Sequence, residues 1–265
     1  MIDFTFKEKY GFDDLLRIME ILRAPDGCMW DREQDHHSIR RNFIEETYEA
    51  VEAIDNDDPV LLREELGDVL LQVVFHAQME KEKGVFDMGD VADGICKKLI
   101  YRHPHIFSTT EVGSTEEILN NWDELKKKEK SQKTVTDGLD SVARSLPGLI
   151  RADKIQKKAA KAGFDWDDVS GAIAKVREEL DEVEAARNGQ GDPADEIGDL
   201  LFAAVNVARF LKVEPEQAME RACDKFIRRF ARVEELAGAD GLQDKSLDEL
   251  EALWQRAKAD TEGHA

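Results

Sequence analysis

Apolar residues recur three and four positions apart along most of the chain, and this spacing predicts amphipathic α-helices. Three segments carry the clearest apolar stripes: Phe12, Leu15, Leu16, Met19 and Leu22; Leu66, Val69, Leu70, Val73 and Val74; and Leu201, Ala204, Val205 and Ala208. No segment alternates β-branched and polar residues convincingly. The sequence therefore predicts an all-α fold.

Capping signals mark several helix starts. A capping residue before a proline predicts that the proline takes the first helical position. A serine followed three positions later by a glutamate predicts a capping box. The pairs are Asp58 with Pro59, Asp192 with Pro193, and Ser246 with Glu249. Glycine and proline predict loops at Gly84, at residues 103–105 and at residues 238–241.

Five short motifs occur twice in the same order, at an offset of 127 to 136 residues. The matched pairs are Trp30-Asp31 with Trp166-Asp167, Glu45-Glu46-x-x-Glu49 with Glu178-Glu179-x-x-Glu182, Glu65-x-x-Asp68 with Glu196-x-x-Asp199, Lys98-x-x-x-Arg102 with Lys225-x-x-x-Arg229, and Trp122 with Trp254. This order predicts a duplicated unit of four or five helices. We expect an N-terminal domain at 1–130, a polar linker at 131–147 and a C-terminal domain at 148–265.

The repeated acidic motifs predict two sites with four carboxylates each. Glu46 and Glu49 share a helix face, as do Glu65 and Asp68, because residues three apart lie about 5–6 Å from each other. A short turn before Pro59 makes the two helices antiparallel neighbours, so the four acids face one another. We call them the N-terminal acid cluster. The C-terminal acid cluster repeats the set as Glu179, Glu182, Glu196 and Asp199.

Each cluster is suited to a hard divalent cation. Without one, neighbouring buried carboxylates repel, and their pKa values rise. Ligands that are all oxygen favour Mg²⁺, with Mn²⁺ as a possible substitute. A solvated acidic helix face is the alternative, and the repetition of the whole pattern argues against it. A di-iron bundle would need paired Glu-x-x-His motifs, and the spacing of Glu33 and His36 is not repeated.

Composition narrows the class of partner. The chain has 265 residues, of which 42% are hydrophobic and 36% charged, and its net charge is −21. So large an acidic excess repels nucleic acid polymers and anionic membranes, so neither is expected as a partner. Three widely spaced cysteines argue against a disulfide framework, and the charged N-terminus argues against a signal peptide. We expect a cytoplasmic protein.

The acidic motifs resemble those of the MazG family of nucleoside triphosphate pyrophosphohydrolases. The resemblance covers nearly the whole chain and extends to Trp30-Asp31-Arg32-Glu33-Gln34, residues 102–107, Leu146-Pro147 and residues 162–166. Met29 departs from the pattern, because the family usually has proline before the tryptophan. The resemblance implies Mg²⁺-dependent hydrolysis of NTPs and dNTPs to the monophosphate and pyrophosphate. It also implies an α-helical fold that works as a homodimer.

Basic and aromatic residues near the C-terminal acid cluster are candidates for binding the nucleotide. Lys175 lies one turn before Glu179, while Lys225 and Arg229 lie one turn apart on a later helix, so all three can contact phosphates. Trp254 can stack on a base, and an apolar ring tolerates many bases. The alternatives are a salt-bridged helix surface for the cations and core packing for the tryptophan.

Two further assignments concern catalysis. Glu178 lies four residues before Glu182 and is the candidate for orienting or deprotonating the attacking water, although a third metal ligand or a surface acid is an open alternative. Lys225 and Arg229 are expected to take part in catalysis as well as in binding. The N-terminal half has Asn42 at the position that matches Lys175, so the C-terminal half is expected to be the main catalytic domain.

Two other functions stay open at this stage. One is a narrower pyrophosphohydrolase, for dUTP, dCTP or phosphoribosyl-ATP. The other is a protein that senses Mg²⁺-nucleotide or interacts with partners without turnover. Retention of all eight carboxylates favours catalysis. The sequence does not reveal the base or sugar preference, the physiological substrate, a regulatory partner, or whether the N-terminal site is active.

Overall fold

The structure is a computed structural model that describes residues 4–108, 114, 118, 121–122, 125, 132–238, 241–243 and 245–262. Every regular element in these residues is an α-helix, which confirms the predicted all-α class. The chain forms two compact units, Met1–Leu125 and Lys126–Ala265. This division lies close to the predicted start of the linker.

Unit 1 is built around one long helix. Its described helices are α1 (Phe12–Arg23), α2 (Met29–Glu33), α3 (Arg40–Asp55), α4 (Pro59–Glu82), α5 (Met88–Arg102) and α6 (Pro104–Phe107). Helix α4 packs against both α3 and α1, and α5 follows beside it. The buried core consists of Met19, Ile39, Val74, Phe75 and Met79.

Unit 2 repeats this arrangement. Its described helices are α7 (Val135–Asp140), α8 (Gly148–Lys161), α9 (Val169–Arg187), α10 (Pro193–Phe210), α11 (Pro215–Ala237) and α12 (Leu247–Glu262). Helix α10 packs against α9 and α8, as α4 packs against α3 and α1, and α11 pairs with α12 and contacts α8. The segment expected as a linker at 131–147 contains α7, which packs against α8.

The predicted capping signals are confirmed. The Asp58 side chain accepts hydrogen bonds from the backbone N–H groups of Val60 and Leu61. Asp192 accepts one from Ala194. In the capping box before α12, the backbone N–H of Ser246 donates to the carboxylate of Glu249 at 2.8 Å. These bonds satisfy N–H groups that the first turn of a helix leaves without an internal partner.

The loop expected at residues 103–105 is shorter than predicted. Pro104 is the first residue of the short helix α6, and His103 is the junction with α5. The physical reason is that the fixed backbone angle of a proline suits the first helical position as well as it suits a turn. Gly84, by contrast, ends its helix with a positive φ of 69°, as expected of a glycine turn.

Some residues of the predicted apolar stripes are exposed in the single chain. Leu66 is 53% exposed, Leu70 is 37% exposed and Leu201 is 47% exposed. Helix α4 instead contributes Val74 and Phe75 to the buried core of unit 1. These leucines are exposed within a single chain because the helices are apolar on more than one side. No helix in the described part of the chain is long and apolar enough to cross a membrane.

Candidate metal and nucleotide site

Each acid cluster lies on one helical hairpin. Residues 56–58 join α3 to α4, and residues 188–192 join α9 to α10. Positive φ angles reverse the chain in both turns, at Asp57 (52°) and at Gly189 and Gly191 (88° and 110°). Such angles favour glycine and tolerate aspartate, which explains the polar composition of the turns. The short turns make the paired helices antiparallel, and this brings the two acidic faces together.

The N-terminal acid cluster is compact. Carboxylate oxygens of Glu46, Glu49 and Glu65 lie within 4.8 Å of one another. Burial, followed by repulsion from the charges of Asp68 and Glu49, raises the pKa of Glu46. Burial, followed by repulsion from Glu49 and Asp68, also raises the pKa of Glu65. The fourth acid, Asp68, is thus close enough to act on two of the others.

The C-terminal acid cluster has the same form. Carboxylate oxygens of Glu179, Glu196 and Asp199 lie within 4.8 Å of one another. Contact with Glu179, by hydrogen bonding and then by charge repulsion, raises the pKa of Glu182. The structure therefore groups Glu179, Glu196 and Asp199, while Glu182 contacts the cluster through Glu179.

The chemistry of this cluster fits a cation. The Glu179 side chain is 4% exposed, and its Oε2 is buried without a hydrogen-bond partner in the described part of the chain. A buried carboxylate oxygen without a partner is costly, and a bound cation removes that cost. Oxygen donors that converge in this way are those that Mg²⁺ and Mn²⁺ prefer. The residues present therefore fit the divalent metal that the acidic motifs predict.

Lys175 contacts the C-terminal acid cluster directly. Its Nζ lies 2.5 Å from Oε1 of Glu179 and 2.7 Å from Oε1 of Glu178. The two carboxylates, first Glu178 and then Glu179, raise the pKa of Lys175 above its usual range. Glu178 itself is 58% exposed, so it lies at the rim of the cluster, where water and substrate have access.

The remaining candidates lie on α11 and α12. Lys225 is exposed and Arg229, one turn later, is half-buried. In the described part of the chain, no ion pair joins Lys225 to the four acids. Trp254 is half-buried, and its ring centroid lies 5.1 Å from that of Phe226, with the ring planes tilted by 40°. Phe226 is 55% exposed, so its ring presents an apolar surface next to Trp254.

Phe226 is a residue that the sequence reasoning did not select. Its signal was present, because it follows Lys225 in the repeated motif where the N-terminal half has Leu99. In unit 1 the tryptophan that matches Trp254 is Trp122, and its ring lies 4.7 Å from His103 in an edge-on arrangement. The aromatic surroundings of the two halves therefore differ.

Comparison with known proteins decides the family. The profile of the "MazG nucleotide pyrophosphohydrolase domain" matches residues 34–107 and 159–233. The chain belongs to the MazG family. Each match contains one complete acid cluster, so the family domain occurs twice, in agreement with the repeat found in the sequence.

Relatives match over most of the chain. A nucleoside triphosphate pyrophosphohydrolase/pyrophosphatase MazG of Thermotoga maritima is 43% identical over 253 residues, covering 95% of this chain and 97% of that protein. A nucleoside triphosphate pyrophosphohydrolase of Escherichia coli K12 is 46% identical over 253 residues, covering 93% and 96%. YabN of Bacillus subtilis, an uncharacterized protein, is 47% identical over 254 residues, which span 52% of its length. As a MazG family member, this chain is a hydrolase that acts on nucleotides.

Proposed function

We propose that this protein hydrolyses nucleoside triphosphates, both NTPs and dNTPs, to the monophosphate and pyrophosphate, with Mg²⁺ as cofactor and Mn²⁺ as a possible substitute. The observation that carries the proposal is the convergence of three carboxylates, Glu179, Glu196 and Asp199, on one helical hairpin, with a buried oxygen of Glu179 left without a hydrogen bond in the described part of the chain. The names of the relatives and the family domain support the same reaction.

The metal would be held by Glu179, Glu182, Glu196 and Asp199, and in the N-terminal half by Glu46, Glu49, Glu65 and Asp68. When bound, the metal neutralises charge on the phosphates and on the departing pyrophosphate. The antiparallel hairpin keeps the four carboxylates in place before the substrate arrives. This reduces the reorganisation that the reaction requires.

Glu178 is the candidate for orienting or deprotonating the attacking water. Its carboxylate is more than half exposed and is held by Lys175 at the rim of the C-terminal acid cluster. Water attacks a phosphorus atom of the α,β-anhydride, and the bond from that phosphorus to the α,β-bridging oxygen breaks, which gives the monophosphate and pyrophosphate. Because Glu178 lies at the rim, its carboxylate can accept the proton of the attacking water while the phosphate chain stays in the site.

Cations and aromatic rings would hold the rest of the nucleotide. Lys175, Lys225 and Arg229 supply positive charge for the phosphates. Trp254, packed against Phe226, offers an apolar surface on which a base can stack. Stacking on a ring distinguishes poorly among bases, so we propose broad base tolerance.

Two points concern organisation. We propose that the C-terminal half is the main catalyst, because the position of Lys175 is occupied by Asn42 in the N-terminal half.

We also propose a homodimer, in agreement with the exposed leucines of α4 and α10, which a second copy can cover. The cytoplasmic location expected from the composition stays a prediction.

Product analysis tests the reaction. Purified protein is incubated with a panel of NTPs and dNTPs, and phosphate is detected with malachite green, with and without added inorganic pyrophosphatase. We expect signal only when pyrophosphatase is present, comparable rates for several bases, and loss of activity in EDTA. Phosphate release without pyrophosphatase would contradict the proposed bond cleavage. A single active nucleotide would favour the narrower enzyme, and no turnover would favour a sensor.

A further inference from the structure

The two acid clusters differ in one contact that bears directly on metal binding. In unit 2, Lys175 forms an ion pair with Glu179, which is buried and belongs to the C-terminal acid cluster. In unit 1 the matching position is Asn42, which carries no charge. The neighbouring cation in that unit, Arg41, pairs with Glu45 at 2.6 Å. Glu45 is exposed and lies outside the N-terminal acid cluster.

We propose that Lys175 is a resident counter-ion of Glu179 that makes divalent-cation binding at the C-terminal acid cluster depend on nucleotide, whereas the N-terminal cluster binds the cation alone. This inference rests on the proposed function, since it assumes that both clusters bind a divalent metal. It assigns Lys175 a role in the order of binding, in addition to its contact with phosphates.

Lys175 lowers the affinity of the C-terminal acid cluster for a metal through its charge. An ammonium group 2.5 Å from a carboxylate oxygen already neutralises that carboxylate, so a cation gains less by binding there. The ammonium also repels a dication at the same oxygens. Both effects lower the affinity for the metal in the absence of nucleotide. The second oxygen of Glu179, which is buried and unpartnered, keeps the site able to bind once the lysine moves.

The nucleotide can relieve this competition. The Lys175 side chain is 35% exposed, and a lysine stem is flexible, so its ammonium can turn from Glu179 to an incoming phosphate. The phosphates attract the ammonium and free a carboxylate oxygen for the metal. Metal and nucleotide then each raise the affinity for the other, because coupling between two sites is reciprocal. The N-terminal acid cluster lacks this coupling through position 42.

Direct measurement of Mn²⁺ binding tests the proposal without relying on turnover. The full-length chain is used in two backgrounds, Glu46→Gln/Glu49→Gln to isolate the C-terminal cluster and Glu179→Gln/Glu182→Gln to isolate the N-terminal one. Free Mn²⁺ is followed by electron paramagnetic resonance. Titrations are run alone and with an ATP analogue whose α,β-bridging oxygen is replaced by methylene, so that the proposed cleavage is blocked.

Exchanging the residues at positions 42 and 175 should exchange the effect that each has on metal binding at its cluster. Lys175→Asn should tighten nucleotide-free binding of Mn²⁺ at the C-terminal cluster by on the order of tenfold, since one charge contact at about 4 Å carries that much energy. It should also reduce the gain produced by the analogue. Asn42→Lys should weaken nucleotide-free binding at the N-terminal cluster. Arg177→Asn is the matched control, because it removes an exposed cation from the same helix as Lys175 and should change little.

Folding is monitored in parallel. Removal of Lys175 leaves the Glu179 carboxylate buried without its counter-ion, so the metal-free melting temperature should fall and Mn²⁺ should restore it. If Lys175→Asn binds nucleotide-free Mn²⁺ no better than the Arg177→Asn control, or if Asn42→Lys has no effect, the inference is overturned while the proposed function stands. If neither cluster binds Mn²⁺ even with the analogue, both the inference and the proposed metal site fail.

Discussion

Arg209 binds Asp165 with both ends of its guanidinium group, at 2.9 Å from Nη1 to Oδ2 and 2.5 Å from Nη2 to Oδ1. The pair joins the loop before α9 to the end of α10, across 44 residues of sequence. A third bond, from Nε of Arg209 to Asn206, fixes the guanidinium plane. The pair therefore anchors the segment that leads into the helix of Glu179.

This ion pair predicts a pH-dependent stability. The hydrogen bonds from Arg209 lower the pKa of Asp165, so the pair stabilises the fold above the unfolded pKa of about 4 and loses its effect as pH falls through the lower folded value. Asp165→Asn should cost about 1 kcal/mol at pH 7, allowing for partial exposure. The cost should shrink in acid. Urea unfolding at several pH values measures it.

Asp167→Asn serves as the control, because Asp167 is an exposed carboxylate two residues away. Its substitution should leave the urea midpoint nearly unchanged at all pH values. A loss of stability in Asp165→Asn that stays constant down to pH 2 would show that the pair is not the cause.

The amino-acid sequence predicted features that form within one hairpin better than contacts between residues far apart in the chain. Helix starts at Pro59 and Pro193 follow from spacing and short turns within one hairpin, and so does the grouping of three carboxylates in each half. The Asp165–Arg209 pair could not be predicted, since no periodicity connects residues in a loop and a distant helix end. The exposure of Leu66 could not be assigned from the sequence either, because an apolar stripe does not state whether the same chain or another covers it.

The division of labour between the halves is a second prediction. Glu179→Gln/Glu182→Gln should lower kcat/KM for ATP and dNTPs far more than Glu46→Gln/Glu49→Gln. The physical reason is that a triphosphate carries about four negative charges, and one lost charge-assisted contact costs roughly 1.5–3 kcal/mol, or about 10- to 150-fold. Asn42 supplies no such contact. Equal losses from the two double variants would refute the asymmetry, and loss only from the N-terminal pair would reverse it.

Replacing Gly198, directly before Asp199, with alanine is predicted to raise stability and to lower activity. In the part of the chain that the structure describes, a Cβ atom at Gly198 or at the matching Gly67 would meet nothing within 4 Å beyond its chain neighbours and the backbone of its own helix. Glycine inside a helix costs roughly 0.5–1 kcal/mol relative to alanine, so Gly198→Ala should raise the free energy of unfolding by that amount. If the open space serves the substrate, kcat/KM should fall.

Gly67→Ala provides the comparison within the same chain. It should stabilise unit 1 to a similar degree, with little effect on turnover if the C-terminal half is the main catalyst. Thermal melts and steady-state assays of the two variants measure both quantities. Full activity in Gly198→Ala would show that the space beside Asp199 is not used by the nucleotide.

The exposed apolar side of α10 predicts an effect on assembly. Leu201 and Phe202 are 47% and 42% exposed in the single chain, and burial against a second copy would remove that apolar area from water. Leu201→Glu should therefore shift the mass measured by light scattering at micromolar concentration from dimer toward monomer. Leu247→Glu is the control, because Leu247 is 80% exposed. A monomeric wild-type protein would contradict the proposed dimer.

The placement of each acid cluster on one hairpin has a consequence for how the chain folds and how it arose. All four carboxylates of a cluster lie within a continuous stretch, Arg40–Asp55 with Pro59–Glu82 or Val169–Arg187 with Pro193–Phe210. Contacts so close in sequence form rapidly, because little loop entropy is lost. A hairpin can thus assemble its acid cluster before the rest of its unit has packed. For the same reason, duplication of one such segment copies a whole candidate metal site at once, and a later change at a single neighbouring position, such as 42 or 175, alters the charge beside one copy only.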